Sequence, residues 1–490
     1  MRKYFNHITM AMLLVVTASS CKKWLDVTPG NQVRAEDQFS SEAGFRDALM
    51  GVYLTMTEKA AYGMHGSWAS LDLMGLPYKR LNSAHDFFEM QGYQYKSVGA
   101  TPIIEGLWRG NYKSIVNVNA ILDNMEKKKA IIHPISFSIM KGELLGLRAF
   151  LHFDLMRVFG RSNYAGKPEL ASKPAIPYVT AFSKEVTPQQ SYSATFQLME
   201  KDIADALVLL KEDPAFANPS RPAGYYAEVN RTGFFNDRSL RMNYYAVKAL
   251  QARVFQWQGT ASKMEAAAGA AEDVIAHSQA RLIDAGAPAK DLILKSEHLF
   301  ALNIDRFYDI INPYLSTGYG TNMLEISETD INNIYEDNTS AGLSDFRKQN
   351  WFTLLGNSEH TAVPKKMLQS INDAANRNRM PLIRLSEMYY IAAEGYVQTN
   401  TPLSVTYLNT VRRSRGIIAD IATNADQTTV QAEITKEYRK DFIQEGQVFF
   451  YYKRKGFTSF PGLPAGTTAG DNIYMLPFPD SETGSGTREQ

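Results

Sequence analysis

Apolar residues recur at three-and-four spacing along several long stretches of this chain, the mark of amphipathic helices that bury one face. The clearest stretch is 242–257, MNYYAVKALQARVFQW, in which Ala246, Leu250, Val254 and Trp257 share a face and Gly259 follows as a stop signal. A second helix follows at once in SKMEAAAGAAEDVIAHS, with Met264, Ala267, Ala271, Val274 and Ile275 facing inward. Its small alanines allow close approach, which predicts a helical hairpin of the kind that stacks in solenoids. The same pattern pairs 108–126 with 139–159 and 382–398 with 402–415.

In length and in their small and aromatic residues these pairs resemble tetratricopeptide hairpins, but no fixed period relates them, so an uninterrupted repeat array is excluded. The pattern predicts a mainly α chain, a tetratricopeptide-like helical hairpin scaffold with long irregular loop insertions and little β structure. From 60 to 105 and from 305 to 365 the period disappears and Gly, Pro, Asn, Ser and Tyr take over, as in NPYLSTGYGTN (312–322) and EDNTSAGLSD (336–345). Long structureless connections in a compact protein are usually functional loops. The polar tail from Ser481 is expected to lack order.

The N terminus carries a different signal. Arg2 and Lys3, an apolar run from Ile8 to Ala18 and the small residues Ala18-Ser19-Ser20 read as an export signal too short to span a bilayer. It ends at Cys21, the one cysteine of 490 residues. That placement fits a bacterial lipoprotein signal, cut before Cys21 so that the cysteine carries acyl chains and acts as an anchor, although Ala18 stands where such signals most often carry leucine. Two or more chains would make the attachment stable. The expected organisation is a signal peptide over 1–20 and a single body over 21–490, with an N-terminal part to 280 and a C-terminal part from 281 that holds the loop-rich insertion.

Charge removes some classes of partner. Fifty-two basic against 51 acidic side chains give a formal charge of +1, so no global field steers the protein to nucleic acid or acidic lipid. A body without cysteine cannot be stapled by disulfides, and at this length its core does not need them. The eight histidines are scattered, without the helical His-Glu-His spacing of a zinc protease. Phosphate loops, dinucleotide fingerprints and nucleophile elbows are absent too. A glycosidase would need two carboxylates at a set separation, and 51 acidic residues offer no basis for choosing them.

Aromatic residues are the unusual feature: 26 Tyr, 25 Phe and 5 Trp. A sugar-binding surface needs flat aromatic faces flanked by Asn, Asp, Arg or Gln for the hydroxyls. Two loop regions supply that mix. Residues 63–88 place Trp68 and Tyr78 beside Asp72, Arg80 and Asn82, and the second region runs from Tyr314 and Tyr319 to Trp351, with Asn312, Asn322, Arg347 and Asn350 interleaved. Singly, each of these aromatics is more simply explained as packing; as a set, one or two are expected to line a ligand site. Trp108 and Trp257 fall on apolar helix faces and are expected in the core.

Several blocks, taken in order, carry a family resemblance. Leu25, Asp26 and Pro29 follow the cysteine, and EAGFRDALMGVY (42–53) places Ala48, Gly51 and Tyr53. GELLGLRAFLHFDLMRVFG (142–160) contains Arg148-Ala149-Phe150 and closes on Phe159-Gly160. PLIRLSEMYYIAAEG (381–395) carries Leu382, Ile383, Arg384, Leu385, Tyr389, Ala393 and Glu394, and YLNTVRRSRG, EITKEYRKDFIQEG, YKRKG and LPFP complete the series. The chain resembles the SusD/RagB-like outer-membrane lipoproteins. It departs from their pattern at Tyr451-Tyr452-Lys453-Arg454-Lys455, where the family often has an acidic residue and a tryptophan.

The resemblance implies a protein lipid-anchored to the outer membrane and facing outward, although Lys22 and Lys23 stand where such proteins often carry acidic residues. It implies capture of a glycan or oligosaccharide and delivery to a SusC-like TonB-dependent β-barrel transporter as its lid, without bond chemistry, cofactor, metal or nucleic acid. Peptide capture for an importer of the same type is one alternative, and a polysaccharide-acting hydrolase is another. Arg148, Arg384, Glu394 and Glu445, charges in apolar surroundings, are expected to form buried pairs that fix packing.

Overall fold

The computed structural model describes residues 35–284, 291–369, 372, 376–484 and 488–490. The export signal, Cys21, Lys22, Lys23 and the anchor residues Leu25, Asp26 and Pro29 lie outside them. Ser41 opens helix α1 (Glu42–Met56) by accepting the Gly44 amide at 3.3 Å, one of the donors that a helix start leaves open. Helix α2 (Ala100–Lys127) packs on α1 and on α3 (Pro134–Phe159). α3 is buried along nearly its whole length, so it is a central rod of the array rather than a surface helix. Then follow α4 (Tyr192–Leu209), α5 (Tyr244–Gln258) and α6 (Ala261–His277), each against the one before.

The α5–α6 turn is the expected hairpin. α5 stops on Gly259, at φ +68°, and Thr260 at once caps α6 by accepting the Lys263 amide at 3.4 Å. The alanine face of α6 also meets a helix much later in the chain, α8 (Leu385–Tyr396), reached after α7 (Phe307–Leu315). A Cβ on Gly395 would lie 2.8 Å from the Ala268 Cβ and 2.9 Å from the Met264 carbonyl, so glycine is what lets these two helices touch. α9 (Thr401–Ser414) packs on α8 and α10 (Gln427–Asp441) on α9, and α11 (Gln447–Lys455) follows. The fold is therefore mainly α, with helical hairpins stacked in sequence order. Trp108 and Trp257 are both in its core.

Short strands complete it. β1 (Pro174–Pro177) pairs antiparallel with β2 (Gln189–Ser191), and β3 (His298–Asn303) with β7 (Arg379–Arg384). A three-stranded antiparallel sheet has the order β4 (Ile326–Ser327), β6 (Thr361–Pro364), β5 (Phe352–Leu354). Among the described residues no helix is long and apolar enough to cross a membrane.

Four expectations change. Residues 382–384 are extended rather than helical, because the stretch pairs antiparallel with β3, Ile383 opposite Phe300 and Arg384 opposite His298, a long-range partner that local periodicity does not reveal. α2 begins at Ala100 rather than 108, with Pro102 in the first turn, where a missing N–H is harmless. The 305–365 insertion is not structureless: it holds α7, further short helices and the three-stranded sheet, whose strands of two to four residues are too short to show alternation. The tail is tied down where it is described, since Gln490 donates to the Leu476 carbonyl at 2.6 Å and to the Phe159 carbonyl at 3.3 Å.

The four charges expected to pair do so. Arg148 grips Asp202 through two bonds of 2.6 and 2.7 Å. Glu394 accepts from Arg454, Lys455 and Gln256. Arg384 and Glu445 bond each other at 3.0 Å inside a larger network. Burying these groups is tolerable only because each is met by an opposite charge.

Candidate functional site

The two aromatic loop regions converge. Tyr78 forms a β-bridge with Ile326, and the Lys79 amide donates to the Glu325 carbonyl at 2.7 Å. The Gln91 amide staples this crossing by accepting from Leu81 (3.0 Å) and donating to the carbonyls of Tyr78 (3.3 Å) and Lys79 (3.0 Å). Further along, His85 Nδ1 accepts the Phe87 amide at 3.1 Å, which leaves Nε2–H to donate to the Asn322 carbonyl at 3.2 Å. Burial lowers the His85 pKa, in keeping with this neutral tautomer.

Around this seam an aromatic cluster forms. Tyr314, on α7, stacks on Phe87 with centroids 5.1 Å apart, and lies 5.7 Å from Trp68 and 6.0 Å from His85. His65 meets Phe87 edge-on at 5.6 Å; burial takes its pKa down to about 4, so it too is neutral. Tyr314 is half-buried, its hydroxyl 3.5 Å from the exposed Asp86 carboxylate, and burial followed by that charge raises its pKa. Gly318 and Gly320, at φ +98° and +61°, make the turn that presents Tyr319, 45% exposed, with its hydroxyl accepting the Asn312 side-chain amide at 2.6 Å. Every residue from Thr317 to Asn322 is exposed, whereas Trp68, His85 and Phe87 are buried, so the cluster reaches solvent through the half-buried Tyr314 and His65.

The expected site residues separate into two groups. Arg80, Asn82, Tyr319 and Asn322 are exposed and Tyr314 half-exposed, all close to the seam. The Arg80 guanidinium lies over Phe88 at 4.3 Å, and Asn82 Oδ1 accepts the Ala84 amide at 2.9 Å, which fixes its turn. Trp68, Asp72, Tyr78, Arg347 and Trp351 are buried, so each supports the surface from beneath rather than offering a face to solvent. Trp68 donates Nε1–H to the Gly63 carbonyl at 3.0 Å. Asp72 accepts the Tyr78 hydroxyl at 2.7 Å and the amides of Glu445 and Gly446 at 3.1 Å each.

Arg347 and Trp351 belong to a second interior layer. Arg347 is held by Asp345 (2.7 Å), Glu437 (2.8 Å) and Asp441 (3.2 Å), all fully buried. Asp441 also accepts from Arg384 and Arg415, which share Glu297. Trp351 lies under the Lys366 ammonium, 4.3 Å from its ring, and Lys366 pairs with Glu445. Alternating charges thus tie the loop insertion to β7, to Arg415 just past α9 and to α10. Asn350 spends its amide on the Phe346 carbonyl at 2.8 Å.

Sequence reasoning passed over His85, Asp86 and Phe87, which lie inside the stretch already singled out. Their signal was available: a His-Asp-Phe-Phe run directly after a polar turn. Among the described residues no group of three or more His, Cys, Asp or Glu side chains is placed to hold a metal ion.

Comparison with known proteins gives two family matches. A SusD-like model described as "Starch-binding associating with outer membrane" covers residues 23–231, and a SusD family model covers 305–468. The chain belongs to the SusD/RagB-like family. Solved SusD structures share its fold over most of both chains. A SusD superfamily protein from Bacteroides thetaiotaomicron superposes with a TM-score of 0.72 at 21% identity, over 91% of this chain and 98% of the other. A SusD-like carbohydrate binding protein from Bacteroides vulgatus gives 0.69 at 18%, over 90% and 96%. In sequence, 172 residues are 25% identical to a SusD-like protein of Formosa agariphila, a match that spans 33% of this chain and 32% of that relative.

The blocks that carry the family pattern are structural here. Arg148 and Arg384 are buried in ion pairs, and at the departure around 451–455 Arg454 still binds Glu394 at 2.6 Å. The aromatic seam lies outside those blocks.

Proposed function

We propose that this protein captures a glycan or its oligosaccharides on the open aromatic face and passes the ligand to a SusC-like TonB-dependent outer-membrane transporter, which it covers as a lid. The observation that carries the reading is the meeting of two sequence-distant loop regions at Tyr314, Phe87 and Trp68, with the exposed Tyr319 held to Asn312 on the helix that carries Tyr314. Aromatic faces match the C–H faces of sugar rings, and the exposed Arg80, Asn82, Asp86 and Asn322 supply hydrogen-bonding groups for hydroxyls. Family membership and the description of its model support the glycan class and the outer-membrane setting.

The reading assigns binding without bond chemistry: Asp72 and Asp345, the buried carboxylates nearby, are spent on structural partners. Cys21 is the proposed lipid attachment, with the body facing the cell exterior. Affinity purification from detergent-solubilised outer membrane tests the delivery role. A large β-barrel protein should co-purify in stoichiometric amount, and recovery of the lipoprotein alone would refute the lid.

A further inference from the structure

A cleft of about 360 Å³ opens between the last turn of α6, the start of α5 and β3, and none of its lining residues belongs to the aromatic surface. Its volume lies near the lower end of the roughly 300–1,000 Å³ typical of small-molecule sites. Two buried residues that line it, Ser278 and His298, each keep a polar atom that no protein group satisfies: Ser278 Oγ and His298 Nδ1. Nine buried side-chain polar atoms among the described residues have no protein partner, and two of them belong to residues lining this one cleft, a clustering that points to a partner from outside the chain.

The chemistry of the lining narrows that partner. His298 donates Nε2–H to the Ile293 carbonyl at 2.9 Å, and burial, with Arg384 and Arg379 nearby, takes its pKa down to about 3. The ring is therefore neutral and Nδ1 offers a lone pair. Ser278 and Ser239 contribute hydroxyls, which both donate and accept, and Asp237 a solvent-facing carboxylate. Arg238 also lines the cleft, but its guanidinium is bound by Asp213 at 2.6 Å and Glu143 at 3.2 Å, so it has no charge to spare for an anion.

We propose that this cleft is a second binding site, separate from the aromatic surface, for a neutral polyhydroxylated small molecule of one or two sugar rings, recognised through Ser278 and His298. Hydroxyl groups that donate and accept match an acceptor nitrogen beside serine hydroxyls, and the absence of spare positive charge among the described lining residues disfavours phosphate esters. Such a site would let the protein hold a released monosaccharide or disaccharide independently of the chain on its aromatic face.

Calorimetric titration of the full chain in detergent tests this, with D-glucose, D-galactose, D-mannose, D-xylose, cellobiose, maltose and D-glucose 6-phosphate as probes. At least one neutral sugar should bind saturably, more tightly than the phosphate ester. Ser278→Ala should weaken that binding tenfold or more without lowering the melting temperature, because it removes an orphaned hydroxyl. His298→Phe should weaken it likewise, and both variants should keep the wild-type affinity for longer oligosaccharides held on the aromatic surface. Absence of saturable binding by every neutral sugar, preference for the phosphate ester, or binding indifferent to both Ser278→Ala and His298→Phe would overturn the proposal.

Discussion

The ring of Tyr314 stacks on that of Phe87, centroids 5.1 Å apart and planes at 26°, although the two residues come from different loop regions of the chain. This contact joins two aromatic segments into one surface. His85 reinforces it by bridging to the Asn322 carbonyl, so the geometry of the face depends on the seam as well as on the exposed rings.

His85→Ala should therefore act on binding without presenting a ligand contact of its own. It removes the bond to Asn322 and the acceptor for the Phe87 amide. The expected result is oligosaccharide affinity weakened several-fold, together with stability lower by about 1–3 kcal/mol for the exchange of satisfied groups for unpaired ones. Calorimetry and urea unfolding on one preparation measure both.

Arg347 should behave in the opposite way. Its guanidinium faces three buried carboxylates, Asp345, Glu437 and Asp441, and Arg347→Met leaves them with too little compensating charge. Breaking a buried pair from one side costs roughly 3–5 kcal/mol. The variant should unfold at markedly lower urea, while any folded fraction binds oligosaccharide with the wild-type affinity, since Arg347 is fully enclosed.

Acid should unfold the protein through its paired carboxylates. Burial alone would raise the pKa of Glu394, yet Arg454 and Lys455 beside it bring it down to about 2; Arg347, Lys440 and Arg412 do the same for Glu437. A depressed native pKa means that the stabilisation is fully present above the ordinary value of 4.5 and is lost as pH falls from there towards 2. Each group contributes on the order of 3 kcal/mol across that window. Glu394→Gln should be less stable at neutral pH and should lose less on acidification, which unfolding midpoints at pH 7, 4 and 3 would show.

The α6–α8 contact predicts a steric cost with a rescue. Gly395→Ala pushes a methyl group against Ala268 and the Met264 carbonyl and should destabilise by roughly 1–3 kcal/mol. Adding Ala268→Gly, which removes the facing Cβ, should recover part of that loss. Equal melting temperatures for the single and double variants would place the strain elsewhere.

How much of this was legible in the chain depends on the range of the forces involved. The α5–α6 hairpin was plain because its determinants are local: an apolar face at helical spacing, Gly259 to end one helix and Thr260 to begin the next. The pairing of Arg148 and Glu394 also followed from the sequence, because a charge on an apolar helix needs a partner. The identity of those partners did not follow, since Asp202 and Arg454 arrive by tertiary folding. Among the candidate site residues, Tyr78 and Arg347 have the same residue types as Tyr319 and Arg80, and composition alone cannot tell a supporting side chain from a presented one. Strand β7 was hidden for a related reason: six residues ending in a helical motif, whose antiparallel partner β3 is a long-range one that local periodicity does not reveal.

The central claim is that the open face around Tyr314 and Tyr319 holds a glycan. The most direct measurement titrates the full chain, and its Tyr314→Ala/Tyr319→Ala variant, with oligosaccharides and with peptide digests. The wild type should bind at least one oligosaccharide saturably, and loss of two aromatic contacts at roughly 1–2 kcal/mol each should weaken that binding tenfold or more while the protein stays folded. Saturable binding to peptides alone, or oligosaccharide binding unchanged in the double variant, would contradict the account.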